Sequence, residues 1–111
     1  MGKQPRMTIP TQLVLRTLLE DPMREMYGLE ICHAAGLAPG TIHPILARFE
    51  GLAWVESRFE AADPHEVGRP RRRYYRLTTQ GAIYARSALS EAQAKRDKLS
   101  RRAPRLAGEN P

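Results

Sequence analysis

Apolar positions recur at helical spacing through the first half of the chain, at strand spacing in the middle, and at helical spacing again towards the end. Ile9, Leu13, Leu15, Leu18 and Leu19 predict a first helix from Thr8 to Glu20. Pro10 is compatible with it, because the first turn has no intrahelical use for the missing N–H. Met26, Leu29, Ile31 and the alanines after His33 predict a short second helix that Gly36 stops. "GLAPGT", Gly36–Thr41, has turn chemistry. Ile42, Ile45, Leu46 and Phe49 then stand at i, i+3, i+4 and i+7, one face of a third helix. Thr41, His43, Pro44, Ala47 and Arg48 fall on the other face. Pro44 fits if it sits within the first turn.

"WVESRF", Trp54–Phe59, alternates, with Val55, Ser57 and Phe59 on one face and Trp54, Glu56 and Arg58 on the other. Pro64, Gly68 and Pro70 punctuate a turn-forming connector, and strand character resumes at Tyr74–Leu77. Tyr75 and Leu77 should face inward, Tyr74 and Arg76 outward. Thr78 or Thr79 can cap a last helix, about Gln80–Arg102. Its apolar stripe, Ile83, Tyr84, Ala88, Leu89, Ala92 and Leu99, is thin. The fold class is mainly α with a small β-hairpin (α+β), in the order α-α-α-β-β-α. Two helices joined by a short glycine-containing turn and followed by a hairpin make a winged helix-turn-helix. The expected organisation is a loose N-terminal arm over 1–7, the winged unit over 8–78, a dimerisation helix over 79–103 and a disordered tail over 104–111.

The chain has 111 residues, 41% hydrophobic and 27% charged, enough for one modest core. The net charge of +6 favours polyanionic partners. The placement of that charge is more telling than its sum. Arg69, Arg71, Arg72, Arg73 and Arg76 form one cluster; Lys95, Arg96, Lys98, Arg101, Arg102 and Arg105 form another. The first sits where a hairpin loop projects into solvent, with no acid among its members. Arginine forks there can grip phosphate oxygens or enter a narrow minor groove. Cys32 is the single cysteine, so an intrachain disulfide is impossible and a reducing compartment is expected. No apolar run reaches the roughly 18 residues of a membrane span, and no signal peptide is read at the N-terminus. A cytoplasmic protein without a membrane partner is expected.

Enzymatic chemistry finds no support: no nucleophile is read in place beside a base, no glycine-rich phosphate loop occurs, and no paired carboxylates stand in a convincing setting. Cys32 and His33 are adjacent on a helix and so point to different faces, and His65 falls in a loop; no metal site and no cofactor are expected. The third helix carries the candidate groups for nucleic acid: Pro39, Gly40, Thr41, His43, Pro44 and Arg48. Thr41 and His43 can reach base edges or phosphates, and the prolines offer apolar contact to thymine methyls. N–H groups near Gly40 can hold a phosphate. The bland alternatives are Thr41 as a plain N-cap and His43 as an exposed bystander. Arg48 is expected on the DNA backbone or paired with Glu50 or Glu56. In the hairpin, the candidates are Arg69, Pro70, Arg71, Arg72 and Arg73.

Three segments also resemble one family, in the right order. "LAPGTIHPILARFE", Leu37–Glu50, resembles the recognition-helix signature of PadR-type transcriptional regulators. "GRPRRRYYRLTTQG", Gly68–Gly81, resembles their wing and second strand. "DPMREMYGLEI", Asp21–Ile31, resembles the segment before their second helix through Pro22, Gly28, Glu30 and Ile31. The resemblance spans Met7 to Leu89. It implies a bacterial, homodimeric regulator that binds double-stranded DNA, usually as a repressor. It further implies a C-terminal helix that packs on the partner's first helix, and in some relatives a small aromatic or drug-like effector at the dimer interface. The only tryptophan here is Trp54, so the last helix has none to sandwich such a ligand. His43, Leu29 and Tyr27 depart from the residues usual in the family. Ala53 replaces the usual glycine after the recognition helix. If that position needs positive φ, alanine costs roughly 1 kcal/mol; otherwise Gly51 takes over the cap and the helix ends two residues earlier. Two other functions compete with the regulator: a nonspecific architectural or RNA-binding protein, and a winged-helix module for protein partners.

Overall fold

The computed structural model describes residues 5–102. The first four residues of the expected arm lie outside the described residues. So do residue 103, at the end of the expected last helix, and the expected tail over 104–111, with Arg105 of the second basic cluster.

Helix α1 spans Ile9–Leu19, its N-cap Thr8 accepting a hydrogen bond from the Thr11 amide at 3.3 Å. A two-residue strand, β1 (Met26–Tyr27), precedes α2 (Gly28–Ala35), and α3 runs Pro39–Gly51. Strand β2 (Val55–Phe59), a one-turn helix α4 (Pro64–Val67), strand β3 (Arg73–Leu77) and the long helix α5 (Thr79–Arg102) follow. The sheet has three strands, not two, in the order β1-β3-β2 with both pairings antiparallel. β1 was expected as the start of the second helix. Instead Met26 and Tyr27 pair with Tyr75 and Tyr74, and the helix begins only at Gly28.

The core forms where α1, α2 and α3 meet the inner face of the sheet. Val14, Leu15, Ile31, Ile42, Leu46, Phe49 and Val55 are almost completely buried, and Tyr75 and Leu77 face inward as expected. Trp54 departs from the strand alternation. It lies one residue before β2 and is buried, its ring 4.9 Å from Phe49 and 5.7 Å from Tyr84. At the other end of the same strand Phe59, expected inward, is 58% exposed.

The end of α3 explains Trp54. The Ala53 amide donates to the Glu50 carbonyl at 3.0 Å and the Trp54 amide to the Phe49 carbonyl at 2.9 Å. This is a Schellman turn, in which the residue between the helix and its apolar clasp takes a left-handed conformation. Ala53 takes it, at φ 63°, while Gly51 stays helical. The alternative cap at Gly51 is therefore wrong. Phe49 and Trp54 are the apolar clasp.

Thr78 is the cap of α5: its hydroxyl accepts from the Gly81 amide at 2.8 Å and donates to the Ala53 carbonyl at 2.8 Å. Gly81 lies so close to Trp54 that a Cβ there would stand 1.9 Å from the Trp54 carbonyl oxygen. Ala82, Ala85 and Ala88 then bury the first turns of α5 against its own domain. Ala88, expected at a dimer interface, is covered within the chain, and Leu89 packs partly on the same core. Among the described residues, no helix is long and apolar enough to cross a membrane.

Candidate nucleic-acid interface

Helix α3 separates its two faces cleanly. Ile42, Ile45, Leu46 and Phe49 are buried, while Pro39, Gly40, Thr41, His43, Pro44, Ala47 and Arg48 are exposed. The buried row locks the helix to the core, so the exposed row is held rigidly. Ala38, which has no capping side chain, is the N-cap. Thr41 is therefore no cap; it stands in the first turn with its hydroxyl on the exposed face. Pro44 lies in the second turn and not the first. Proline has no N–H to give the Gly40 carbonyl, which leaves that oxygen available on the outer surface at the helix entrance. Arg48 does not pair with Glu50 or Glu56: Glu50 is bonded to Arg73 and Ser57, and Glu56 to Arg76. Its guanidinium is solvent-facing, one turn after Pro44.

The hairpin resolves the puzzle of the crowded arginines. Carboxylates reach them from β2, from Glu60 just beyond it and from α3, not from their own segment. Arg69 pairs with Glu60, whose carboxylate also accepts the Arg72 amide at 2.9 Å. The Arg69 hydrogen bond first, then the Arg72 amide, pull the Glu60 carboxyl down to about 2. Arg73 bonds Glu50 at 3.2 Å and Ser57 at 2.9 Å; Arg76 bonds Glu56 at 2.8 Å. On the outer face of the sheet, Glu25 takes two bonds of 2.7 Å from Arg58, and this pairing lowers the Glu25 carboxyl below the usual range. Asp63 caps α4 by accepting from the His65 amide, and Gly68 ends it at φ 73°.

Arg71 and Arg72 have no carboxylate partner among the described residues. Arg71 donates through Nε to the Ala62 carbonyl at 3.2 Å and is otherwise exposed. Arg72 lays its guanidinium over the Tyr27 ring, 4.1 Å from the centroid. Of the five hairpin residues expected on DNA, Arg69 and Arg73 therefore hold the hairpin together, and Arg71 and Arg72 have donors to spare. Tyr27, Gly28, Pro39, His43, Arg72 and Arg73 line one notch of about 240 Å³ between the helices and β3. The His43 ring rests on Gly28, where an added Cβ would stand 3.2 Å from its Cε1. The third helix and the hairpin thus present one continuous surface, with His43 at the seam.

A rigid helix with a polar and apolar outer row, beside a hairpin whose Arg71 and Arg72 have no carboxylate partner among the described residues, is the kind of surface that suits a DNA groove. Residues 14–87 match the Transcriptional regulator PadR-like family. The chain belongs to this family. PadR-like proteins are DNA-binding transcriptional regulators and not enzymes. A PadR family regulator from Clostridium difficile is similar in fold, at 22% identity and a TM-score of 0.65, over 85% of this chain and 97% of that one. A PadR family regulator from Eggerthella lenta gives 20% identity and a TM-score of 0.65, over 81% and 80%. The PcaV transcriptional regulator from Streptomyces coelicolor, solved with its natural ligand, gives 22% and 0.63; the match covers 93% of this chain and 66% of that one. No functionally curated protein matches the chain.

Sequence reasoning missed the contacts of Tyr27 and Glu60 on this PadR-like surface, and offered Glu50 to Arg48 where the structure bonds it to Arg73. Their partners lie across strands, so only the register, Tyr27 opposite Tyr74 and Phe59 opposite Arg73, brings them into place.

Proposed function

We propose that this PadR-like regulator is a homodimeric repressor that binds a pseudo-palindromic operator. One observation carries the reading: α3 turns Thr41, His43, Pro44 and Arg48 outward on a helix whose other face is wholly buried. Thr41 and His43 contact base edges, and the Gly40 entrance and Arg48 contact backbone. Arg71 and Arg72 reach the flanking phosphates. Two-fold symmetry then sets half-sites roughly 34–36 Å apart or a multiple of that.

Dimerisation, on this reading, uses the part of α5 that its own domain leaves uncovered. Ile83 is 53% exposed, Tyr84 45% and Leu99 69%, and Ala92 is only half-buried. Ile9 on α1 is 58% exposed. Leu89 and Ala88 anchor the helix to its own chain instead. The winged unit is assigned to residues 8–78 and the dimerisation helix to 79–103. A groove of about 590 Å³ between α1 and α5, bordered by Ile9, Gln12, Ala92 and Arg96, has the size of a small-molecule site. PcaV, similar in fold, takes its natural ligand, and an effector for this chain is proposed for that groove.

The test is fluorescence anisotropy of the full chain with the DNA upstream of its own gene and a shuffled duplex, across a salt series. The expected result is a preference on the order of a thousandfold with a steep salt slope. Thr41→Ala with His43→Ala should erase most of that preference and keep the nonspecific binding. Equal binding to both duplexes and to unrelated competitors would favour a nonspecific binder. Absence of binding at low salt would favour a protein-interaction module.

A further inference from the structure

Four side chains on the outer side of the sheet form a ladder. The Arg58 guanidinium lies 5.4 Å from the Tyr74 ring centroid, Tyr74 meets Tyr27 edge-on at 5.8 Å, and Tyr27 carries Arg72 at 4.1 Å. The two tyrosines are directly opposed in the β1–β3 register. Glu25 clamps Arg58 at one end. At the other end the Arg72 head has no ion-paired carboxylate among the described residues; it rests on the Tyr27 ring and interacts with the Glu60 charge only through space. Its backbone amide is fixed on Glu60 at 2.9 Å.

We infer that Tyr27 is a positioning residue: it pre-orients Arg72 for a DNA phosphate beside His43. This rests on the DNA-binding reading above. A guanidinium stacked by its face keeps its N–H donors in the plane of the fork, free to meet phosphate oxygens. A salt bridge would consume those donors, as it does for Arg69 and Arg73. An unheld arginine, by contrast, loses rotamer freedom on binding. Stacking on Tyr27 orders Arg72 beforehand without using its donors. The position is also useful: Arg72, Tyr27 and His43 line the same notch, so an oriented Arg72 faces the strand that passes the recognition helix.

The experiment is a double-mutant cycle in DNA affinity on the full chain, with Tyr27→Phe, Tyr27→Leu, Arg72→Ala and Tyr27→Leu/Arg72→Ala. Thermal melts of each variant accompany it. Tyr27→Phe keeps the ring and should bind as the parent does. Tyr27→Leu should weaken binding about two- to fivefold, the size of an exposed cation–π pair, and leave the salt slope unchanged. Arg72→Ala should flatten the slope by about one. In the Arg72→Ala background Tyr27→Leu should cost nothing further. Three results overturn the inference: Tyr27→Leu binding more tightly, which would make the ring a trap for Arg72; an equal loss in both backgrounds, which would make Tyr27 a fold residue only; and no loss in either. Failure of the parent chain to bind any duplex would sink the DNA-binding reading itself, a separate outcome.

Discussion

Ala53 is the one non-glycine residue with positive φ among the described residues, and it offers a sharp test of how α3 ends. A left-handed conformation costs an L-residue roughly 1–2 kcal/mol. Glycine at the same place is free of that cost but adds about 0.4–1 kcal/mol of unfolded-state entropy. Ala53 is exposed, so its methyl contributes little packing that the change would forfeit. Ala53→Gly should therefore stabilise the fold by about 0.5–1 kcal/mol. For a chain of this size that raises the melting temperature by roughly 2–6 °C. Gly51 provides the counterpart. It is helical, and a Cβ there would meet nothing within 4 Å. Gly51→Ala should gain up to about 1 kcal/mol from helix propensity. Both are read by urea and thermal unfolding followed by circular dichroism, at one protein concentration because the proposed dimerisation would couple to stability. If Ala53→Gly destabilised and Gly51→Ala lost more than about 1 kcal/mol, the positive φ would belong to residue 51 and the Schellman turn would be wrong.

Gly81→Ala should be among the most damaging single changes: its methyl collides with the Trp54 backbone, which has no side-chain freedom with which to yield. A loss of about 3 kcal/mol, with α5 partly undocked in hydrogen exchange, is expected. Glu60 lies well below the ordinary carboxylate value near 4.5, so its contribution is complete above that pH and is lost as pH falls towards about 2. The protection factor of the Arg72 amide, taken relative to its intrinsic exchange rate, should fall over that window, and Glu60→Gln should remove that loss while lowering the protection at neutral pH. Arg71→Ala should flatten the salt slope of DNA binding by about one. Arg69→Ala should leave the slope nearly unchanged while loosening the hairpin, because Arg69 is already neutralised by Glu60. Ile83→Lys with Leu99→Lys should yield a folded monomer in sedimentation, since neither side chain is needed by its own domain; a persistent dimer would refute the α5 interface.

What was legible in the sequence divides along a physical line. The inward row of α3 and the inward Tyr75 and Leu77 could be read because burial imposes a period, and a period is local. The limits of α1 and the start of α5 could be read because Thr8 and Thr78 cap within three residues. β1 could not be read: two residues are too short for any period, and they are a strand only because β3 offers them an edge. Trp54 misled because its aromatic side chain suits a strand, yet it serves as the clasp of the preceding helix turn.

The arginines show why charge is harder to read than hydrophobicity. Along the chain, Arg69, Arg71, Arg72, Arg73 and Arg76 look equivalent, all basic and all without a local acid. Folding makes them unequal. Arg73 has Glu50 and Ser57 because Phe59 stands opposite it in the ladder; Arg76 has Glu56 for the same kind of reason. A register shifted by one residue would exchange these neighbours and turn each side chain to the other face. The count of basic residues therefore overstates the charge available to a polyanion. What the hairpin leaves for the proposed phosphate contacts is Arg71 and Arg72, one solvent-facing and one stacked, presented by a framework that the other three arginines help to hold. Like charges can crowd at the entrance of this strand because the strands and helix beside it carry the compensating carboxylates. The two arginines left over are those that the fold can spare for DNA.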